Sequence, residues 1–390
     1  MKIPILYPKY TGFNAKLLLE NGKSFSGVGF GYPRQTAGEI VFNTGMVGYT
    51  ESLTDPSYSG QILTMTYPLV GNYGVPDKNI LDKFGIPKYF ESEKIQPKGL
   101  VIHSLSNVAS HWSCVKTLDE WLYEEKIPGI YGVDTRELTK IIRQKGVMMG
   151  VLIVSDQPID KIDFRKIINV ENYNTKNFMS SVTSNQVKIY GDNDKDVLVL
   201  LDTGTKFSII RHLLRIGFKV VQVPWDSTYE KILSYNPVGV IISNGPGDPK
   251  ICKPTIDTAK KLIDTSIPTL GICLGNQILA LSAGADTYKL KYGHRGQNKS
   301  CINKENSLSY ITSQNHGYGI DPATLTSTDF QPWFYNPDDN TIEGIIHNNK
   351  PIIAVQFHPE ASPGPNDCNY IFDKFKEIVN LNKSEKLPNK

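Results

Sequence analysis

The chain is poor in several features that would settle its class at once. It holds only 5 cysteines (Cys114, Cys252, Cys273, Cys301 and Cys368) in 390 residues. They are scattered and include no Cys-x-x-Cys pair, which argues against a disulfide framework or a zinc ribbon. His103, His111 and Cys114 fall close together, yet no fourth ligand stands at a usual spacing, so no metal site is expected there. An excess of one charge is missing too: 42 lysines and arginines against 39 aspartates and glutamates leave a net charge of +3. That balance gives no electrostatic reason to expect nucleic acid or an anionic membrane as partner. Apolar runs are short, Val197–Leu201 and Val238–Ile242 being typical, far from the ~18 residues of a membrane span. Prolines at 4 and 8 interrupt the first residues, which removes the apolar stretch of a secretory signal, and no arginine precedes Arg34, which weakens a transit-peptide reading. A reducing, cytoplasmic setting is expected. What is present is 39% hydrophobic and 21% charged residues, enough to bury real cores over a length that suggests two or three domains.

The first half reads as strand and turn. Ala15–Leu19 is a short apolar run followed by Asn21-Gly22, a tight hairpin signal. Strand-like segments recur at Glu39–Phe42, Gln61–Met65 and Gly99–His103, separated by many glycines. The segment VDTRELTKIIRQKG predicts a helix, with Asp134 as N-cap and Glu137 completing a capping box. Leu138, Ile141 and Ile142 form its apolar stripe and Gly146 its stop. From about Ser155 to Asp196 the sequence turns polar and loses its period, as an interdomain connector with some local helix would.

A different grammar begins at Val197. Strand-like runs at residues 197–201, 219–223, 238–243 and 268–272 alternate with helix-length amphipathic stretches at Lys206–Ile216, Ser227–Tyr235 and Pro254–Asp264. Alternating β and α of this kind predicts a doubly wound parallel sheet. Further strands are expected near Ser309–Thr312 and Ile352–Phe357, then a closing helix over Asp367–Val379. The expected division is therefore a β-rich α+β domain over 1–155, a connector over 156–195, an α/β domain over 196–380 and a polar tail over 381–390.

Three motifs in the second domain carry chemistry, and each follows a strand. In GICLGNQ the G-x-C-x-G spacing puts Cys273 at the apex of a strand-to-helix turn. Flanking glycines permit a strained backbone there, and the helix N-terminus aims N–H groups at a developing oxyanion. Taken alone, Cys273 could equally be a small buried hydrophobe. In AVQFHPE, His358 can serve a cysteine nucleophile as base and Glu360 can orient the imidazole. In SNGPGDP, Gly245 and Gly247 let backbone amides face a ligand, although alone the segment is only a rigid turn. Two triad fragments at the carboxyl ends of strands in one α/β domain are far harder to reach by accident than either alone.

Together these motifs resemble the class I, triad-type glutamine amidotransferase domain over about Val197–Ile378. The resemblance implies a flavodoxin-like sheet that hydrolyses glutamine, with Cys273 as nucleophile, His358 as general base and acid, and Glu360 as the orienting carboxylate. The first half, in EIVFNTGMVGYTESLTDPSYSGQILTMTYPLVGNYGVPD (39–77) and YGVDTRELTKIIRQKG (131–146), looks like the N-terminal domain of the small, glutaminase component of carbamoyl phosphate synthetase. With that match the likeness covers essentially the whole chain. It implies glutamine contacts at Ser57, Gly245, Gly247, Leu274, Gln277, Asn315, Gly317 and Tyr318, the last three from SQNHGYG. His316 in that motif is expected near the site as a structural hydrogen-bonder. The resemblance further implies ammonia channelling to a large synthetase subunit or domain, which makes carbamoyl phosphate from bicarbonate for pyrimidine or arginine synthesis. This chain shows no P-loop, so no cofactor is expected in it, and ATP and Mg²⁺ are expected on that partner. Two positions depart from the pattern: Asn276 stands where many relatives carry histidine, and Ser208 where asparagine is usual near Lys206. They are the only support for an alternative, a non-catalytic docking or regulatory subunit of the same complex. The intact triad argues against an ammonia-dependent relative lacking the cysteine.

Overall fold

The computed structural model describes residues 3–159 and 172–386. They form two compact units, Met1–Asp82 with Pro87–Lys176, and Lys83–Ile86 with Asn177–Lys390. The small piece 83–86, read from sequence as part of the first domain, belongs to the second unit, where Ile86 joins an apolar core cluster and Phe84 packs against it.

Seven strands close into a barrel in the first unit: β1 (Thr11–Leu19), β2 (Ser24–Gly31), β3 (Gln35–Asn43), β4 (Gln61–Met65), β5 (Gly99–Val101), β6 (Pro128–Tyr131) and β7 (Met148–Ser155). Their order around the barrel is β1-β7-β3-β4-β5-β6-β2. The Asn21-Gly22 turn forms as expected, with Leu19 N–H donating to Lys23 O at 2.9 Å and Gly22 at φ +85°. Closure was not visible in the sequence, and glycines make it possible. A Cβ on Gly27 would lie 2.3 Å from Tyr131 O, and one on Gly129 would strike the Phe30 ring at 2.5 Å. Aromatic and aliphatic side chains such as Phe30, Leu63, Leu100, Trp121 and Leu122 pack as its core. The predicted helix is Thr135–Lys145, and Asp134 accepts the Glu137 N–H at 2.8 Å. Its capping box is only half made, because Glu137 reaches Lys23 instead, at 3.7 Å. A complete capping box stands at Thr117 and Glu120, starting the Leu118–Glu124 helix.

The second unit is a ten-stranded sheet: β8 (Lys188–Tyr190), β9 (Val197–Asp202), β10 (Lys219–Pro224), β11 (Gly239–Ile242), β12 (Thr269–Ile272), β13 (Thr287–Asn303), β14 (Ser309–Ile320), β15 (Phe330–Tyr335), β16 (Ile342–His347) and β17 (Ile352–Val355). The order is β8-β10-β9-β11-β12-β17-β16-β15-β13-β14. The run β10-β9-β11-β12-β17 is parallel throughout, the flavodoxin-like order, with its switch point between β9 and β11. Side-chain alternation explains the continuous apolar strands: Leu198 and Leu200 enter one core cluster while Val199 and Leu201 enter the other.

Three sequence expectations change here. The stretch read as connector lies partly outside the described residues, and its visible part includes β8, paired antiparallel to β10. Residues 381–386, read as polar tail, continue the closing helix Tyr370–Lys386, which buries Ile371, Phe372, Phe375 and Val379. Beyond β17 the sheet extends through an antiparallel block dominated by the long pair β13 and β14, of which only the start of β14 was expected. Among the described residues no helix is long and apolar enough to cross a membrane.

Candidate active site

Strand β12 is buried at all four positions and delivers the chain directly to Cys273. That residue sits at φ 54°, ψ −100°, a region costly for a non-glycine residue, and opens the helix Leu274–Ser282. The flanking glycines are required by contact. A Cβ on Gly275 would fall 2.1 Å from Ile242 O, and one on Gly271 2.7 Å from Gly275 O. The Cys273 N–H is tied to Val355 O at 2.8 Å, locking the turn to β17. The thiol is 2% exposed, so its surroundings largely exclude bulk water. Its Sγ can donate to Asn315 O at 3.8 Å and accepts from Gln356 Nε2 at 3.7 Å.

His358 follows β17, and its backbone N–H donates to Ser313 O at 2.8 Å. Its Nδ1 lies 2.6 Å from Glu360 Oε1, and its Nε2 has no hydrogen-bond partner among the described residues. Glu360 also meets Lys206 Nζ at 3.0 Å, and Lys206 donates to Ala361 O at 2.6 Å. All three side chains are buried. Burial alone would neutralise them, but the charges hold one another. Burial lowers His358 most, but the Glu360 carboxylate and the Cys273 sulfur together outweigh burial and Lys206 and raise it. Glu360 is raised by burial and lowered more by Lys206 and His358. The result is an imidazolium–carboxylate–ammonium chain with one ring nitrogen left for the sulfur.

The remaining expected residues of the second unit converge on the same sheet edge. Gly245 follows β11 so closely that a Cβ there would sit 1.9 Å from Thr203 O, and Gly247 has φ +90°. The N–H groups of Gly245 and Leu274 have no partner among the described residues. Asn315, Gly317 and Tyr318 lie on β14, so SQNHGYG is strand rather than loop. Gln277 turns its Nε2 to Tyr318 O at 2.9 Å. His316 Nδ1 contacts Tyr318 O at 2.9 Å, and burial, followed by nearby His294, pushes its pKa well below the ordinary value. Ser57 belongs to the first unit, in the short turn Pro56–Tyr58 capped by the Asp55 side chain.

His294, His316 and Glu343 are the one described group with ligand atoms close enough to hold a metal ion. His294 and Glu343 are already engaged, whereas His316 Nε2 has no hydrogen-bond partner among the described residues. His294 binds Asp339 at 2.8 Å and Glu343 at 3.1 Å through its two nitrogens. Burial lowers its pKa, but these two hydrogen bonds outweigh burial and raise it to about 9. The cluster is an ion-paired imidazolium, a poor cation site.

The two departures are filled by hydrogen bonds. Asn276 donates to Gln356 Oε1 at 3.2 Å, and Ser208 Oγ accepts from Arg211 at 2.8 Å. Sequence reasoning missed the role of Lys206 and all mention of Gln356. Both stand beside recognised motifs, but their partners lie far along the chain.

Residues 199–378 match the glutamine amidotransferase class-I family, and residues 17–152 match the CPSase domain of the carbamoyl-phosphate synthase small chain. A carbamoyl phosphate synthase small chain of Pyrococcus furiosus is 47% identical over 367 residues, covering 93% of this chain and 97% of its own length. The chain belongs to the carbamoyl phosphate synthase small-chain family. A small chain of Saccharolobus solfataricus is likewise 47% identical over 367 residues. The mitochondrial carbamoyl-phosphate synthase (ammonia) of Homo sapiens is 44% identical over 95% of this chain, which spans only 24% of that protein. The amidotransferase match covers the parallel strands from within β9 to β17, and the CPSase match covers strands β2 to β6 of the barrel entirely.

Proposed function

We propose that this small chain hydrolyses L-glutamine at Cys273 and passes the ammonia to a large synthetase subunit or domain, which makes carbamoyl phosphate for pyrimidine or arginine synthesis. The observation that carries the reading is the His358–Glu360 contact at 2.6 Å with Nε2 left unpartnered beside an elbow cysteine. Glu360 fixes the ring so that Nδ1 carries a proton and Nε2 serves the sulfur.

The course is acyl transfer. The glutamine carboxamide enters with its carbonyl oxygen toward the N–H groups of Gly245 and Leu274. The Cys273 thiolate forms a C–S bond at the carboxamide carbon. As the C–N bond breaks, His358 Nε2 gives its proton to the leaving nitrogen, and ammonia departs. Water then gives a proton to His358 and its oxygen to the thioester carbon. Glutamate leaves and the thiolate is restored, so the net change is glutamine plus water to glutamate plus ammonia. Ser57, Gly247, Gln277, Asn315, Gly317 and Tyr318 are assigned to holding the substrate. ATP and Mg²⁺ belong to the partner's chemistry, and a thiol-dependent step suits the reducing cytoplasm.

Glutamate release by the purified chain, with and without the synthetase partner, tests this against Cys273→Ser. Wild type with partner should release glutamate and the serine variant only background. Equal release by the two would overturn the reading.

A further inference from the structure

We infer that Gln356 is a catalytic hydrogen-bond donor to the Cys273 sulfur, held in that orientation by Gln277 and Asn276. The inference rests on Cys273 being the nucleophile.

One atom of the network has a fixed role. Tyr318 O is a backbone carbonyl and can only accept. Gln277 Nε2 lies 2.9 Å from it, so that end of the Gln277 amide must be nitrogen. The same Nε2 lies 3.1 Å from the Gln356 amide, which must therefore present its oxygen there. Asn276 Nδ2, at 3.2 Å, donates to the same Oε1. With its oxygen fixed by two donors, Gln356 has only one direction left for its NH₂ group. Nε2 points to Cys273 Sγ at 3.7 Å. A flipped Gln356 would set its NH₂ against the NH₂ of Gln277, whose orientation Tyr318 O fixes. Gln356 is wholly buried, as is Asn276, so water cannot take over the job.

A neutral amide N–H facing sulfur assists whichever state carries negative charge on it. That state occurs before attack and again when the thioester expels the thiolate. Asn315 O, on the sulfur's other contact, can only accept a proton from a neutral thiol and offers the anion nothing. Gln356 is therefore a side-chain donor, in addition to His358, that favours the charged nucleophile. The network also gives Asn276 a purpose: the position needs an N–H donor toward Gln356, which a histidine could equally provide. Gln277 and Asn276 are positioning residues.

The test compares Gln356→Met, Asn276→Leu and Asn276→His with wild type in the complex with the synthetase partner, by steady-state glutamate release and by the rate of Cys273 alkylation by iodoacetamide. Loss of a donor to a charged group predicts that Gln356→Met lowers kcat about 10–100-fold. KM for glutamine should change less than about 3-fold, because the residue touches sulfur rather than substrate. Alkylation should slow in parallel. Asn276→Leu should lower kcat about 3–10-fold, from loss of one neutral hydrogen bond, and Asn276→His should restore it to within about 2-fold. A Gln356→Met enzyme with wild-type kcat and alkylation rate overturns the inference, as does a rise in KM at constant kcat. If Gln356→Met fails to fold, the Asn276 pair decides, and equal kcat for leucine and histidine there overturns it. If wild type itself releases no glutamate, the glutaminase reading falls, and the alkylation comparison alone decides whether Gln356 acts on the sulfur.

Discussion

The two units bury polar groups for different ends. In the first, several buried polar side chains serve the backbone, although Glu39 accepts from the Gln61 side chain at 3.0 Å. Asp119 is fully buried and accepts the N–H groups of Lys9 at 2.6 Å and Tyr10 at 2.7 Å, pinning a remote segment. Asp55 caps a turn, and Ser92 Oγ donates to Thr54 O. In the second, buried charged side chains face one another: Lys206 with Glu360, Glu360 with His358, His294 with Glu343. A carboxylate that fills a backbone socket is spent on shape. Charges that meet one another hold protonation states that isolated groups would not keep in such a place. The contrast is one of emphasis, since buried Asp202 in the second unit also accepts the N–H groups of Gly204 at 3.1 Å and Thr205 at 2.9 Å.

Substitutions can break that contrast, and the largest effect should come from the imidazole. His358→Asn should cut glutamate release by about 10³-fold or more, and because it leaves Glu360 with Lys206 alone it should also lower the thermal midpoint by breaking a buried pair from one side. A large loss of stability with little loss of rate would place His358 with the scaffold. Lys206→Met leaves Glu360 with His358 alone and should cost about 3–5 kcal/mol in urea unfolding, the penalty of breaking a buried pair from one side. Asp119→Ala, in the first unit, should cost about 2–3 kcal/mol and speed amide exchange at Lys9 and Tyr10. Unchanged exchange there would remove the backbone-socket account.

The His294 pair sharpens the comparison through pH. Its folded value of about 9 lies above the ordinary 6.5. The stabilisation is thus fully present below about 6.5 and disappears as pH rises through about 9. The stability gap between wild type and His294→Gln should be widest near pH 6 and narrow steadily above pH 7 in denaturant titrations. A gap that widens with pH would contradict the imidazolium assignment. At the small end, Glu230→Gln removes an exposed partner of Lys261 and should leave the thermal midpoint unchanged within error.

Legibility in the sequence followed the same division. The parallel strands were readable because both faces are buried, so 197–201, 219–223 and 268–272 stand out as apolar runs. The helix after Asp134 was readable from its cap and stripe. Strand β13 was not, because TYKLKYGHRGQNKSCIN keeps neither period, and its pairing with β14 shifts register at two places. Barrel closure depends on where glycines meet remote backbone, as Gly27 meets Tyr131, and no local pattern encodes that. Cys273, His358 and Glu360 were legible as motifs at strand ends. Lys206 and Gln356 were not, since each acquires its role from a residue brought near only by the sheet order, Glu360 in one case and Cys273 in the other.

One measurement bears most directly on the claim that Cys273 is the nucleophile acting on glutamine. Wild-type protein, mixed with L-glutamine in the presence of the synthetase partner and quenched in acid during turnover, can be digested and read by mass spectrometry for a glutamyl thioester. The account predicts a glutamyl adduct on the peptide containing Gly271–Gln277, at Cys273, and none after Cys273→Ser. An adduct on another residue, or the same adduct in the serine variant's absence of sulfur, would contradict it.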